Sequence, residues 1–260
     1  MTGAARTSQR PAPGEASSPS EGHSARRPVE AAAFLSVVVP VLDEEARLPA
    51  QLDALAEHSG ILEVLVVDGG SRDGTVSLAQ GRPGVRVLRA RRGRGPQLNA
   101  GAAAARGDVL LFLHADVRLP VDASRWIREA LEDPKVVGGA FRVRTVPDGP
   151  RPWFAPLLGL ADLRSRRTRL PYGDQSLFVR RAAFRAVGGY PDQPLFEDLE
   201  FARRLRRQGT LVLLPVCVEV SARRYQRRPL RTALAHNVFP LLYRLGVPAE
   251  RLARWYPTVR

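Results

Sequence analysis

The chain has 260 residues, enough for one domain of ordinary size with a real core. Its formal net charge is +14, from 40 Lys+Arg against 26 Asp+Glu, and every cation except Lys135 is an arginine. This excess favours anionic partners such as nucleotides, phospholipid head groups or nucleic acid. The single cysteine, Cys217, excludes an internal disulfide. It lies in an apolar run and is expected as a core thiol, compatible with a reducing compartment. No apolar run approaches the roughly 20 residues that span a bilayer, and the N-terminus lacks the apolar stretch of a secretory signal. A cytoplasmic protein is expected. A nucleic-acid binder is disfavoured: there is no helix-turn-helix pattern, zinc-ligand spacing or aromatic stacking motif, and the arginines are spread along the whole chain.

Residues 1–33 are rich in Ser, Pro, Gly, Ala and Glu without apolar periodicity, and are expected as a disordered tail. From residue 34 strand and helix signals alternate. A β-branched run at 35–39 stops at Pro40. Leu48, Leu52 and Leu55 give helical spacing within 44–58, and Ser59-Gly60 ends it. A second strand is predicted at 61–67, a short helix after Gly74, a third strand at 85–88, an Ala-rich helix at 96–106 and a fourth strand at 109–113. This order predicts an α/β fold with a mostly parallel sheet and helices on both faces. The second half is less regular. A helix is predicted at 124–131, a strand pair or one long bent strand at 136–146, and an irregular Pro- and Arg-rich connection at 147–171. Helices follow at 181–187 and 198–208, then a strand at 211–220 around Pro215. Two basic amphipathic segments, 230–245 and 249–256, close the chain.

Three carboxylate-bearing turns follow three of the strands: S-V-V-V-P-V-L-D-E-E at 36–45, V-L-V-V-D-G-G-S-R-D-G-T at 64–75, and L-F-L-H-A-D at 111–116. In a parallel sheet all three leave the same edge and converge on one crevice. Carboxylates there accept hydrogen bonds from ribose hydroxyls or a uracil-type N–H, or hold a divalent metal that in turn holds a diphosphate. Gly69, Gly70 and Gly74 permit close backbone approach to a ligand. Any one turn could be structural; three in succession favour a nucleotide site. Asp43, Asp73 and Asp108 read as turn and cap residues.

These segments resemble family 2 glycosyltransferases of the GT-A fold. V-P-V-L-D-E, V-D-G-G-S-R-D-G-T, N-A-G-A-A-A-A-R-G-D and H-A-D stand in the order of that family's V-P-x-x-N-E, V-D-D-G-S-x-D-G-T, N-x-G-x-x-x-A-R-G-D and D-x-D. The later G-D-Q-S-L-F-V-R-R, G-G-Y-P and F-E-D-L-E-F-A-R-R-L-R-R-Q-G are similar to its acceptor-side half. The match runs from about residue 35 to at least 209. The H-A-D and G-D-Q-S variants resemble a bacterial subgroup of small soluble transferases.

The resemblance implies a glycosyltransferase domain over 34–225, with 226–260 as a basic helical extension packed on or beside it. It implies an inverting transfer from a nucleotide-diphosphate sugar to a hydroxyl acceptor, which could be a lipid, a metabolite or a glycan. Pro40, Glu44, Asp68 and Gly70 would line the nucleoside pocket, with Asp68 meeting the base or ribose. Asn99 and the loop that includes Arg94 would approach the nucleotide and its phosphates. Asp116, the last Asp of the D-x-D, would bind Mg²⁺ or Mn²⁺ bridging the diphosphate. Asp198 would be the catalytic base.

Two positions depart from the pattern. His114 replaces the first Asp of the D-x-D, as a donor-site or metal ligand or as a plain strand-end residue. Gly69 replaces the second Asp of V-D-D-G-S. Asp174 and Gln175 resemble a donor-sugar or acceptor contact, with a structural turn as the alternative for Asp174. Glu197 could orient Asp198 or pair with an arginine. Trp153 could stack on an acceptor. Many relatives carry a metal-site His near 220–228; here Arg223 and Arg224 could meet the diphosphate instead, or form a solvated basic loop. His236, downstream, is expected as an ordinary helix residue. The C-terminal segments could rest peripherally on the inner face of a membrane or pack on the body. A non-catalytic nucleotide-sugar- or partner-binding protein of the same fold is the alternative function.

Overall fold

The computed structural model describes residues 1–3, 34–147, 149–150, 152–167, 170–227 and 229–256. The tail expected over 1–33 falls, from residue 4 onward, outside the described residues, as does the side chain of Arg224.

Strands β1 (Leu35–Val41), β2 (Ile61–Asp68), β3 (Val85–Arg89) and β4 (Val109–Phe112) pair in parallel in the order β3-β2-β1-β4. Helices α1 (Leu48–Ala56) and α2 (Thr75–Ala79) cover one face, where Leu48, Leu52 and Leu55 pack on Val37, Val39 and Val41. Helix α3 (Arg94–Ala104) covers the other, where Leu98 and Ala102 meet Val38, Leu65 and Val67. Burial on both faces explains why these strands read as unbroken apolar runs rather than alternating ones. The chain order reverses between β1 and β4, which places the ligand crevice of such sheets at their carboxyl ends.

The sheet continues as a mixed one. The two-residue β5 (Val117–Arg118) and helix α4 (Ala123–Ala130) precede the long strand β6 (Val136–Val146). Strand β7 (Phe178–Arg180) pairs antiparallel with both β4 and β6, and β8 (Thr210–Ser221) runs parallel to β6 and antiparallel to β5. The segment 136–146 is thus one bent strand. Its register against β8 slips between Ala140 and Arg142, beside Pro215, and a bulge is where a strand tolerates a residue with no N–H.

The connection 147–171 contains a helix, α5 (Ala155–Arg167). Pro156 hides it from a sequence reading, although proline is harmless in a first turn, whose N–H groups have no helical partner. Cys217 is only half-buried, because strand alternation points it to the side of β8 opposite the core-facing Leu214, Val216 and Val218.

The remaining elements are α6 (Arg181–Ala186), α7 (Glu197–Leu205), α8 (Arg223–Arg227), α9 (Pro229–Arg244) and α10 (Ala249–Trp255). Leu195, Phe196 and Leu199 form a small core with Ala235 and Phe239 of α9 and Leu252 of α10.

One buried carboxylate ties the lower edge of the parallel strands together. Glu63 accepts from the Ser36 hydroxyl at 2.8 Å, from Arg86 at 2.8 Å and from the backbone N–H of Arg106 at 2.6 Å. Burial alone would push its carboxyl up, but these hydrogen bonds outweigh it and hold the group below its ordinary range. A depressed folded pKa contributes stability above the unfolded value of about 4.3, and that stability is lost as pH falls through the folded value. Glu63→Gln is expected to cost about 3 kcal/mol at pH 7, the lower end for a broken buried pair. The lower end applies because Arg86 and Arg106 remain partly in water. The variant is also expected to flatten the fall in stability below pH 4. Urea unfolding at pH 7 and in acid checks both; an unchanged midpoint at pH 7 would contradict the assignment.

Candidate active site

A cleft of about 880 Å³, open mouth included, lies beside the carboxyl end of β4. It is lined by Arg94 from α3, His114 and Asp116 from the turn after β4, Asp174 from the turn before β7, and Asp198 from α7. Five residues singled out by sequence, spread over about a hundred positions, therefore meet on one surface. Pro40 borders a smaller adjoining space with His114, Glu197 and Asp198.

The turn carrying His114 and Asp116 is fixed from behind. Gln51 of α1 donates its amide to the carbonyls of His114 at 2.6 Å and Val117 at 3.1 Å. Asp116 is nearly buried, and its Oδ2 accepts from Arg223 Nε at 3.0 Å. The other two nitrogens of the same guanidinium grip both oxygens of Glu44 at 3.0 and 2.8 Å. This is the fork geometry in which arginine pairs most strongly with carboxylate. Burial opposes the charge on Arg223, but the bonds and charges of Glu44 and Asp116 outweigh it and hold the guanidinium above its ordinary pKa. A fixed positive charge thus already stands between the first and third turns. Glu44 faces that charge from the first turn, and its backbone N–H is bonded to Thr75 Oγ1 at 2.9 Å.

The second turn is tied to the first. Arg72 N–H donates to Asp43, Gly74 N–H to Glu45, and Glu45 N–H to Asp73. Asp68 accepts from the N–H groups of Gly70 at 3.1 Å and Ser71 at 2.9 Å, which shapes its own turn. The glycine at position 69 has a local cause. A side chain there would start 3.0 Å from the Gln97 amide, which is buried against it and bonded to the carbonyls of Val41 and Val67.

Asp198 sits in the first turn of α7. It accepts from Gly173 N–H at 2.6 Å and from Leu199 N–H at 2.7 Å. Beside it, Glu197 pairs with Arg94 Nε at 2.8 Å. Burial pushes the Glu197 carboxyl up, Arg94 opposes this, and the neighbouring charge of Asp198 adds to it. The charge of Glu197 in turn holds Arg94 above its ordinary value. Phe196, immediately before this pair, has φ 63°, a left-handed conformation costly for an aromatic residue. Asp43 and Ser176 also have positive φ; among the described residues these three are the only non-glycines that do. All three adjoin the turns that carry Glu44, Asp174 and Asp198.

Several expected contacts lie away from the cleft surface. Gln175 is fully buried, bonded to Phe141 and Ser165 carbonyls and to Tyr172 N–H, so it braces the Asp174 turn from behind. The Asn99 amide clamps α3 to both backbone groups of Tyr190. Trp153 is 75 % exposed and packs edge-on against Phe154. Conversely, the cleft includes residues to which the sequence gives no part in the site. His236 lines it, linked to the Tyr225 hydroxyl at 3.2 Å and the Tyr256 hydroxyl at 3.1 Å, and both tyrosines line it too. No periodic signal could have joined Tyr225 of α8, His236 of α9 and Tyr256 just past the end of α10.

A divalent ion can be tested against these donors. Among the described residues no three His, Cys, Asp or Glu side chains come together as a cation cage. His114 and Asp116 do present an imidazole and a carboxylate to the same cleft. The carboxylate fits an Mg²⁺- or Mn²⁺-type ion, which prefers oxygen donors and would take the rest of its shell from substrate phosphates and waters; the imidazole is the less suited of the two donors. The two do not fit a closed site made by protein alone.

The doubly wound parallel half, its mixed continuation and the carboxylates at their shared edge define a GT-A fold. Two solved structures share it. A mannosyltransferase from Pyrobaculum calidifontis, in complex with GDP-Man and Mn²⁺, superposes with TM-score 0.61 at 22 % identity, covering 86 % of this chain and 70 % of that one. TarS 1–349 of S. aureus gives 0.58 at 18 % identity, covering 78 % and 65 %. Residues 36–188 match the model of Glycosyl transferase family 2, and the chain belongs to that family. An undecaprenyl-phosphate 4-deoxy-4-formamido-L-arabinose transferase of Pseudomonas aeruginosa (strain LESB58) is 32 % identical over 167 residues, 59 % of this chain and 49 % of its own. A dolichyl-phosphate beta-glucosyltransferase of Drosophila melanogaster is 42 % identical over 99 residues, 32 % of this chain and 30 % of its own. The chain spans about half the length, or less, of these curated relatives.

Proposed function

We propose that the protein transfers a sugar from a nucleotide-diphosphate donor to a hydroxyl acceptor, with inversion at the anomeric carbon. The observation that carries this reading is the meeting of Asp116, Arg94 and Asp198 on one cleft at the carboxyl edge of the sheet. In this account Asp68, Gly70 and Pro40 receive the nucleoside. Asp116, with His114 beside it, would hold Mg²⁺ or Mn²⁺ at the diphosphate, and such an ion would stabilise the negative charge that builds on the leaving phosphate oxygens. Arg223, released in part from Asp116, adds fixed positive charge at the same place. Asp198 takes the proton from the acceptor hydroxyl as that oxygen bonds to the anomeric carbon. The bond from that carbon to the diphosphate breaks, and the nucleoside diphosphate leaves with the electron pair.

Gly173 keeps the base in place. A Cβ there would lie 2.9 Å from His114 Nε2 and 3.1 Å from Asp198 Oδ2. Gly173→Ala is therefore expected to displace both side chains and lower turnover by about 100-fold. The melting temperature should hardly move, because the backbone at 173 does not need glycine. Turnover close to wild type would remove this turn from the reaction.

The acceptor is proposed as a lipid, a small metabolite or a glycan. The relatives' names, undecaprenyl-phosphate and dolichyl-phosphate transferases, support a lipid first. Among the described residues no helix is long and apolar enough to cross a membrane. A cytoplasmic enzyme meeting the membrane peripherally suits such an acceptor. The test is nucleoside-diphosphate release from a panel of UDP-, GDP-, CDP- and TDP-sugars with lipid and soluble acceptors. Nucleotide binding without release from any donor, with every acceptor class, would favour a non-catalytic binding protein of the same fold.

A further inference from the structure

Helix α9 is apolar on two opposite sides, and among the described residues the fold covers only one of them. Thr232, Ala235 and Phe239 are buried against the body, and His236 and Pro240 reach the cleft. Leu230, Leu234, Leu241 and Leu245 at the end of the helix are 56–73 % exposed. At 3.6 residues per turn these four fall within roughly 60° of one another, on the side away from Thr232 and Phe239. Arg231 and Arg244, both exposed, flank the stripe on either side. An exposed run of four leucines on one side of a helix whose other side is already packed calls for a second surface.

We propose that the leucine stripe of α9 docks on an anionic lipid bilayer, holding the cleft at the membrane surface. The charge pattern selects this occupant. Leucines bordered by arginines match an acyl boundary under acidic head groups. A second copy of the chain fits poorly, because α9 contains no Asp or Glu: self-pairing through the stripe would bring arginines together without a carboxylate of the same helix to meet them. The opposite side of the same helix supplies His236 to the cleft, so docking through the leucines fixes the cleft's height above the lipid. The inference rests on α9 alone and does not require a lipid acceptor.

The test is co-sedimentation of the full chain with vesicles of phosphatidylglycerol and phosphatidylcholine, and with phosphatidylcholine alone, plus light scattering for oligomeric state. Wild type should bind the anionic vesicles at least tenfold better than the neutral ones. Leu234→Glu/Leu241→Glu should lose that binding while keeping the wild-type melting temperature and nucleotide affinity. Arg231→Gln/Arg244→Gln, which leaves the stripe intact, should bind several-fold more weakly and with a smaller salt dependence. Equal binding of wild type and the leucine variant overturns the proposal. So does a wild-type dimer that the leucine variant dissolves, which would make the stripe a contact between copies.

Discussion

Asp198→Asn is expected to lower turnover about 1000-fold, within the range assigned to a positioned general base, and to leave donor binding within about twofold of wild type. Asparagine keeps the shape of the side chain and can keep its single amide oxygen on Gly173 N–H, giving up only the bond from Leu199 N–H, so the turn holds its place. What it loses is the capacity to take a proton. The size of the effect also separates two acceptor chemistries. A hydroxyl nucleophile must give up its proton and needs Asp198. A phosphate oxygen has an upper pKa near 6 and is largely ionised at neutral pH without help. A loss of only a few-fold with a lipid-phosphate acceptor would therefore remove Asp198 from the base role and point to a phosphate nucleophile. Turnover and donor affinity measured on the same preparation distinguish the outcomes.

Asp116→Ala is the second large effect. The side chain is almost buried and shares Arg223 with Glu44. Removing it leaves the two bonds from Arg223 to Glu44, so the local fold should survive. The variant loses the carboxylate that, with His114, would hold an ion at the diphosphate. Residues one layer beyond a metal's ligands already cost 10–100-fold in affinity when removed. Loss of a direct ligand is thus expected to weaken Mn²⁺-supported nucleotide binding by about 100-fold, while metal-free binding through Arg94 and Arg223 changes little. Equal titrations for wild type and variant in the presence of Mn²⁺ would place the ion elsewhere.

The parts of this account visible in the sequence are those that local pattern controls. The runs at 35–39, 61–67 and 109–113 were legible because two buried faces demand continuous apolar residues. The carboxylates at their ends were legible because a parallel sheet must bring them to one edge. Parts set by distant partners were not. From sequence Arg223 reads either as a diphosphate contact or as part of a solvated basic loop, and nothing local announces its fork on Glu44, 179 residues away. Helix α5 was masked by its own composition. The left-handed turns at Asp43, Ser176 and Phe196 were invisible because a non-glycine takes that conformation only when its surroundings impose it. His236 read as a helix residue, which it is; that Tyr225 and Tyr256 carry it to the cleft is a fact of packing between helices α8, α9 and α10.

The central claim is that the cleft at Asp116 is a nucleotide-diphosphate site assisted by a divalent ion. Calorimetric titration of the wild-type protein with UDP, GDP, CDP and TDP, each with and without Mn²⁺, tests it most directly. The account predicts one preferred base, bound at least tenfold more tightly with Mn²⁺. Absence of binding for all four, with and without the metal, would contradict it.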